Sequence, residues 1–302
     1  MSTVEGATVP RAEWRSYYGR PVLKPPVWKP EIPFYLFSGG LGGASAGLAF
    51  LAGAGGNEQL ARRAWAIALG GVAASPLLLV SDLGVPARFF NMLRLFKVTS
   101  PMSVGSWLLL ASGGATTVAA ADAWTRLVPV PFGRVARAAA AALGLPLATY
   151  TAALLSNTAV PVWHEARGAL PFVFAGSAAA SAGGAAVLVT PPEAAAPARR
   201  LAVGAAIATT AGVTAMERRL GELGEPYGTG AAGTLKRVAL ALTAGGAAAI
   251  AGLGRRRAGA AAGGALLLAG AVCERWSIFR AGFQSAGDPK YTVDPQRARL
   301  GR

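Results

Sequence analysis

Among 302 residues there is one histidine, His164, and one cysteine, Cys273. A single cysteine excludes an intrachain disulfide. An iron–sulfur cluster needs about four cysteine ligands, so that donor set is missing too. A b-type haem in a helical bundle takes two axial ligands, most often histidines, and His164 cannot supply both. A structural zinc site fails on the same count. By itself the chain is expected to bind no haem, iron–sulfur cluster or zinc. Charge is also scarce: 14% of residues are Asp, Glu, Lys or Arg, against about a quarter in an ordinary soluble domain. Residues 1–30 contain neither the apolar core of a signal peptide nor a twin-arginine pair, so the first apolar stretch is expected to act as its own insertion signal.

What is present is apolar and segmented. Hydrophobic residues make up 53% of the chain, and the charges cluster so as to leave runs of about 20 residues, enough to cross a hydrocarbon core of about 30 Å as helix. Eight such runs are read at about 33–54, 64–85, 102–123, 134–156, 168–190, 199–219, 233–253 and 258–279. They are rich in Ala, Gly and Leu, do not alternate, and are twice the length of a barrel strand. The expected fold is an all-α integral membrane bundle of about eight transmembrane helices. Residues 1–30 form a Pro- and aromatic-rich extended tail, 31–280 the membrane domain and 281–302 a basic C-terminal tail. The 40 glycines suit helices packed through small faces. Pro76, Pro146 and Pro171 are expected to kink their spans. No convincing internal repeat is visible.

The formal net charge is +15. The arginines sit at the ends of apolar runs, as in Arg62-Arg63, Arg199-Arg200 and Arg255 to Arg257, which points to anionic lipid headgroups. No basic stretch carries the interleaved aromatics of a stacking platform, so nucleic acid is excluded. An even span count puts both termini on one side, and the basic tails tip the balance toward cytoplasmic termini.

Few residues are left to carry chemistry. Asp82 closes the second span after Leu77 to Val80, with Arg88 available as an interfacial partner; an ionisable residue at a span is costly and points to function. Glu274 lies near a span end with Arg275 beside it, and Glu217 and Asp122 read as interfacial charges. Tyr150 lies inside the fourth span, where a phenol finds a hydrogen-bond partner. Tyr35, at the start of the first span, reads as an aromatic-belt residue. His164 reads as an exposed loop residue. Between the second and third spans runs a basic, aromatic stretch that re-enters at Ser100-Pro101, an N-cap followed by a first-turn proline.

At these residues the chain resembles the NrfD/PsrC family, the membrane subunits of polysulfide-reductase-type molybdoenzymes. The pieces that carry the likeness are Tyr35-Leu36-Phe37-Ser38-Gly39-Gly40-Leu41-Gly42-Gly43, Asp82-Leu83-Gly84 with Pro86-Ala87-Arg88-Phe89, Ser100-Pro101-Met102-Ser103 with Gly105-Ser106-Trp107, and Tyr150-Thr151 with Leu154-Leu155-Ser156. Weaker pieces follow at Arg280-Ala281-Gly282 and Asp288-Pro289. The resemblance implies a multi-pass subunit of the bacterial cytoplasmic membrane that holds no metal. It would dock a four-cluster ferredoxin-like iron–sulfur subunit, itself joined to a molybdopterin catalytic subunit, and react with menaquinone or ubiquinone. Carried over, Tyr35, Asp82 and Tyr150 surround the quinone, with Asp82 and Tyr150 in the proton chemistry, and Gly39, Gly40, Arg88, Ser103 and Trp107 complete the site. The family commonly has a polar residue or histidine near the start of span one, where this chain has Glu31, Ile32 and Pro33. A secondary transporter and a purely structural anchor are the alternatives.

Overall fold

The computed structural model describes residues 20–300. Trp14, Tyr17 and Tyr18 of the expected tail lie outside the described residues. Every regular element among the described residues is helical: α1 Glu31–Ala54, α2 Glu58–Asp82, the short α3 Phe89–Met92, α4 Pro101–Thr125, α5 Val130–Ser156, the short α6 Pro161–Glu165, α7 Leu170–Val189, α8 Ala196–Leu220, α9 Gly230–Leu253, α10 Arg257–Gly287 and α11 Lys290–Leu300. Seven of the eight long helices are long and apolar enough to cross a membrane. The eighth, α8, spans 25 residues but carries Arg199 and Arg200 in its first turns and Glu217, Arg218 and Arg219 in its last. It packs along both α7 and α9 as the other long helices pack along their neighbours. The chain is a multi-pass membrane protein.

Local chemistry sets the helix ends. Asn57 caps α2, its Oδ1 accepting from the Leu60 N–H at 3.0 Å, so α2 starts six residues before the expected position and takes Arg62 and Arg63 into its first turns. Ser100 caps α4 through the Ser103 N–H at 3.4 Å, with Pro101 at the first helical position, as the sequence predicted. Pro76 and Pro146 lie inside α2 and α5. Pro171 instead occupies the first turn of α7, where a missing N–H leaves no hydrogen bond broken, so it starts the helix rather than kinking it.

The long helices form two four-membered groups. α1, α2, α4 and α5 pack in a ring, each against the next and α5 back on α1; α7, α8, α9 and α10 repeat that pattern. The groups meet along α1 and α7, with α5 touching α7 and α10 touching α1. Exchanging the two halves maps each of these contacts onto another, except that α2 also touches α7 with no comparable contact of α8 on α1. The repeat is architectural and was not legible in the sequence, because chains of Ala, Gly and Leu diverge freely while keeping the same packing.

Small residues let the backbones meet. A Cβ on Gly43 of α1 would strike the Gly144 backbone of α5; Gly184 of α7 faces Gly264 of α10, and Gly246 of α9 faces Gly263 of α10 in the same way. The N-terminus of α1, the C-terminus of α2, the start of α4 and the end of α5 all lie on the side that carries the termini. That end holds most of the residues singled out above.

Candidate functional site

Tyr35 and Tyr150 come from α1 and α5, 115 positions apart, and their hydroxyls hydrogen-bond to each other. Tyr35 is 1% exposed, so the aromatic-belt expectation fails: its ring points into the first four-helix group rather than toward the headgroups. Tyr150 is partly buried and lies flat on α4. A Cβ on Gly105 would fall within the Tyr150 ring and 2.8 Å from its hydroxyl. Three helices thus meet at one phenol pair, and the absence of a side chain at position 105 permits it.

Two further oxygens lie near this pair without a partner among the described residues. Oε2 of Glu31 is buried and unbonded, one turn before Tyr35 and so on the same side of α1. Thr151 Oγ1, beside Tyr150, is buried and unbonded as well. Below Tyr35, Ser38 Oγ and Ser75 Oγ lie 2.9 Å apart, tying α1 to α2. Orphaned buried acceptors and donors are expensive; others occur elsewhere in the molecule, and these two belong to the helix turns that carry Tyr35 and Tyr150.

The remaining expected site residues do different work. Asp82, the last residue of α2, accepts the Lys29 backbone N–H at 3.0 Å and makes no ion pair with Arg88, which is exposed on the 3-10 turn Pro86–Arg88. The carboxylate therefore anchors the chain just before α1, two residues from Glu31. Ser103 and Trp107 secure the 83–100 connection: Ser103 Oγ donates to the Leu95 carbonyl at 3.0 Å, and Trp107 Nε1 donates to the same carbonyl at 3.3 Å. Gly39 and Gly40 are packing positions; an added Cβ on Gly40 would press on Ala178 of α7 at 3.3 Å and lie 3.7 Å from Arg275 Nη2. The structure thus brings Tyr35 and Tyr150 together, sets Asp82 at the approach to α1, and gives Arg88, Ser103, Trp107, Gly39 and Gly40 places in the surrounding loop and helix contacts.

The segment before α1 is held down by aromatic contacts. Trp28 stacks on Trp163 of α6 with centroids 5.5 Å apart. Trp163 Nε1 donates to the Ile278 carbonyl at 2.7 Å, and its ring lies on Gly282, where a Cβ would collide with it. His164, next to Trp163, is exposed as expected but sits on the short helix α6 rather than in a loop, with Nδ1 3.2 Å from the Ser156 carbonyl.

Across α7 lies a charge pair. Arg275, 1% exposed, reaches Glu274 Oε1 at 3.1 Å and the Phe174 carbonyl at 3.2 Å, with its guanidinium carbon 3.6 Å from the Phe174 ring centroid. The pairing was legible from adjacency. Its depth was not, because α10 continues to Gly287 instead of ending near Phe279. On the terminal side, outside the long apolar helices, Lys290 of α11 donates to Glu225 at 2.7 Å. The hydrogen bond from Lys290 holds the Glu225 carboxyl below its ordinary range, and the same bond raises the lysine.

The model of the polysulphide reductase, NrfD family matches residues 22–224. That is about two thirds of the chain, from the segment pinned by Trp28 through α8. The chain belongs to the NrfD family. A search of curated proteins finds no match to it. NrfD membership accords with the helical membrane bundle.

Proposed function

We propose that this NrfD protein is the quinone-reactive membrane subunit of a multi-subunit oxidoreductase in the bacterial cytoplasmic membrane. It exchanges electrons and protons between menaquinone or ubiquinone and a docked four-cluster iron–sulfur subunit, which is joined to a molybdopterin catalytic subunit. The observation that carries the reading is the buried Tyr35–Tyr150 hydroxyl pair at the junction of α1, α4 and α5, with the unpartnered Glu31 oxygen one turn away.

A quinone carbonyl needs hydrogen-bond donors, and conversion to the quinol takes two electrons and two protons. The electrons come from the docked subunit. Tyr150 donates to one quinone oxygen, its ring held by Gly105 and its hydroxyl oriented by Tyr35. Protons then need a carboxylate route to water. Asp82 exchanges them with the aqueous side; Glu31 supplies the polar group that the family commonly places at the start of the first span.

The two matching four-helix halves favour one rival, a secondary transporter, since such proteins are often built from repeats. Substrate uptake by proteoliposomes containing the chain alone would support that rival. The redox reading is tested by mild purification of the tagged chain followed by metal and cofactor analysis. Iron, acid-labile sulfide and molybdenum are expected with it. Their consistent absence from intact preparations would overturn the assignment.

A further inference from the structure

A large apolar groove reaches up α5 to Ala148 and Thr149, beside Tyr150 but on another face of the helix. It runs between the two four-helix halves and is lined by Ala44, Gly47 and Leu51 of α1, Leu145 of α5, Ala175 of α7 and Leu201 of α8, with a volume of about 710 Å³. From Ala44 to Gly55 a helix rises about 16 Å, close to half the ~30 Å hydrocarbon thickness. The groove is therefore one leaflet deep, and it opens at the end away from the termini.

Charge at that end is one-sided. The connections 55–63, 122–137, 190–200 and 254–257 hold ten arginines against Glu58, Asp122 and Glu193. Several of the arginines are already engaged. Arg137 pairs with Asp122 at 2.9 Å, Arg63 donates to the Val189 carbonyl, and Arg199 reaches the carbonyls of Pro192 and Gly254. Arg200 is exposed and makes no hydrogen bond or ion pair among the described residues. It follows Pro197, which lines the mouth, by three positions, so it stands one helical turn from the groove's rim on α8 without lining the groove itself. Asn57 lines the same mouth with both polar atoms used, Oδ1 accepting from Leu60 N–H and Nδ2 donating to the Ala194 carbonyl at 2.8 Å. A free guanidinium at the mouth of a dry, one-leaflet groove matches a ligand with an anionic head and an apolar chain.

We propose that this groove binds an anionic phospholipid of the leaflet opposite the chain termini. One acyl chain lies between the two halves and the phosphate sits on Arg200. The lipid fills the seam where α1 and α5 leave α7 and α8 apart.

Native mass spectrometry of the full chain, in whatever complex it purifies with, tests this after exchange into phosphatidylglycerol or phosphatidylcholine. Wild type is expected to retain phosphatidylglycerol over phosphatidylcholine. Arg200→Gln should lower that retention about fivefold, the equivalent of ~1 kcal/mol for one juxtamembrane cation, and Arg200→Lys should restore most of it. Gly47→Phe, at a position where an added Cβ meets nothing within 4 Å, should expel the lipid. Equal retention of the two lipids would overturn the proposal. So would Arg200 variants that bind like wild type, or a retained quinone instead of a phospholipid. The Arg200 variants decide the matter even if Gly47→Phe does not assemble.

Discussion

Gly105 and Asp82 carry separable consequences at the scale of single residues. A Cβ at Gly105 would fall within the Tyr150 ring, so Gly105→Val must displace the phenol or push α4 from α5. Overpacking of this kind costs about 1–3 kcal/mol, and thermal unfolding in detergent should show the loss together with weakened quinone-linked turnover. Asp82→Asn keeps an oxygen to accept the Lys29 N–H but removes the titratable group. Turnover should fall while amide exchange around residues 28–31 stays slow. Asp82→Ala should lose both, and equal exchange in the two variants would mean that the hydrogen bond does not anchor the segment. Tyr150 and Asp82 stood out in the sequence because each interrupts an apolar run. Tyr35 was misread because α1 is apolar on nearly every side, so no stripe marks which face turns inward. Glu31 was legible as a carboxylate but not as a buried one, since burial depends on what packs over the start of α1.

At the scale of elements, the long helices follow from apolar length and first-turn prolines and correspond in order to the eight expected runs, though seven of them are apolar enough to cross a membrane and α3, α6 and α11 were not foreseen. Their ends differ from the expected ones: α2 begins early because Asn57 caps it, and α10 runs on through Gly287. The last element, α11, is tied to the α8–α9 connection by Lys290 and Glu225. The carboxyl of Glu225 is held below its ordinary range, so its contribution is present above that range and is lost as pH falls through the lowered value. Lys290 is raised, and its contribution is lost only in strong alkali. Protection factors across residues 288–297, that is exchange relative to the intrinsic amide rate at each pH, should therefore fall on acidification and hold through neutral and mildly alkaline pH. Glu225→Gln should show low protection at every pH, and wild-type protection that does not change with acid would contradict the latch.

For the whole molecule, two four-helix halves meet along α1 and α7, and the Glu274–Arg275 pair is buried beside that seam, with Gly40 leaving room for the guanidinium. Breaking a buried pair by removing one partner leaves an uncompensated charge and costs about 3–5 kcal/mol, whereas removing both costs far less. Arg275→Met should accordingly destabilise the protein in detergent melts, and Arg275→Met with Glu274→Gln should recover most of the loss. Matching losses in the single and double variants would mean that the pair does not act as a unit. The central claim concerns the first half, where the phenols of Tyr35 and Tyr150 meet on the side that carries the termini. It is tested most directly by quinone-linked turnover of the intact complex carrying Tyr150→Phe, measured beside the partner's activity with a soluble artificial redox dye. The account predicts a loss of about 10²-fold in the quinone reaction, the lower end of what a positioned proton donor supplies, with the dye reaction unchanged. Quinone turnover equal to wild type in a complex that still reacts with the dye would contradict it.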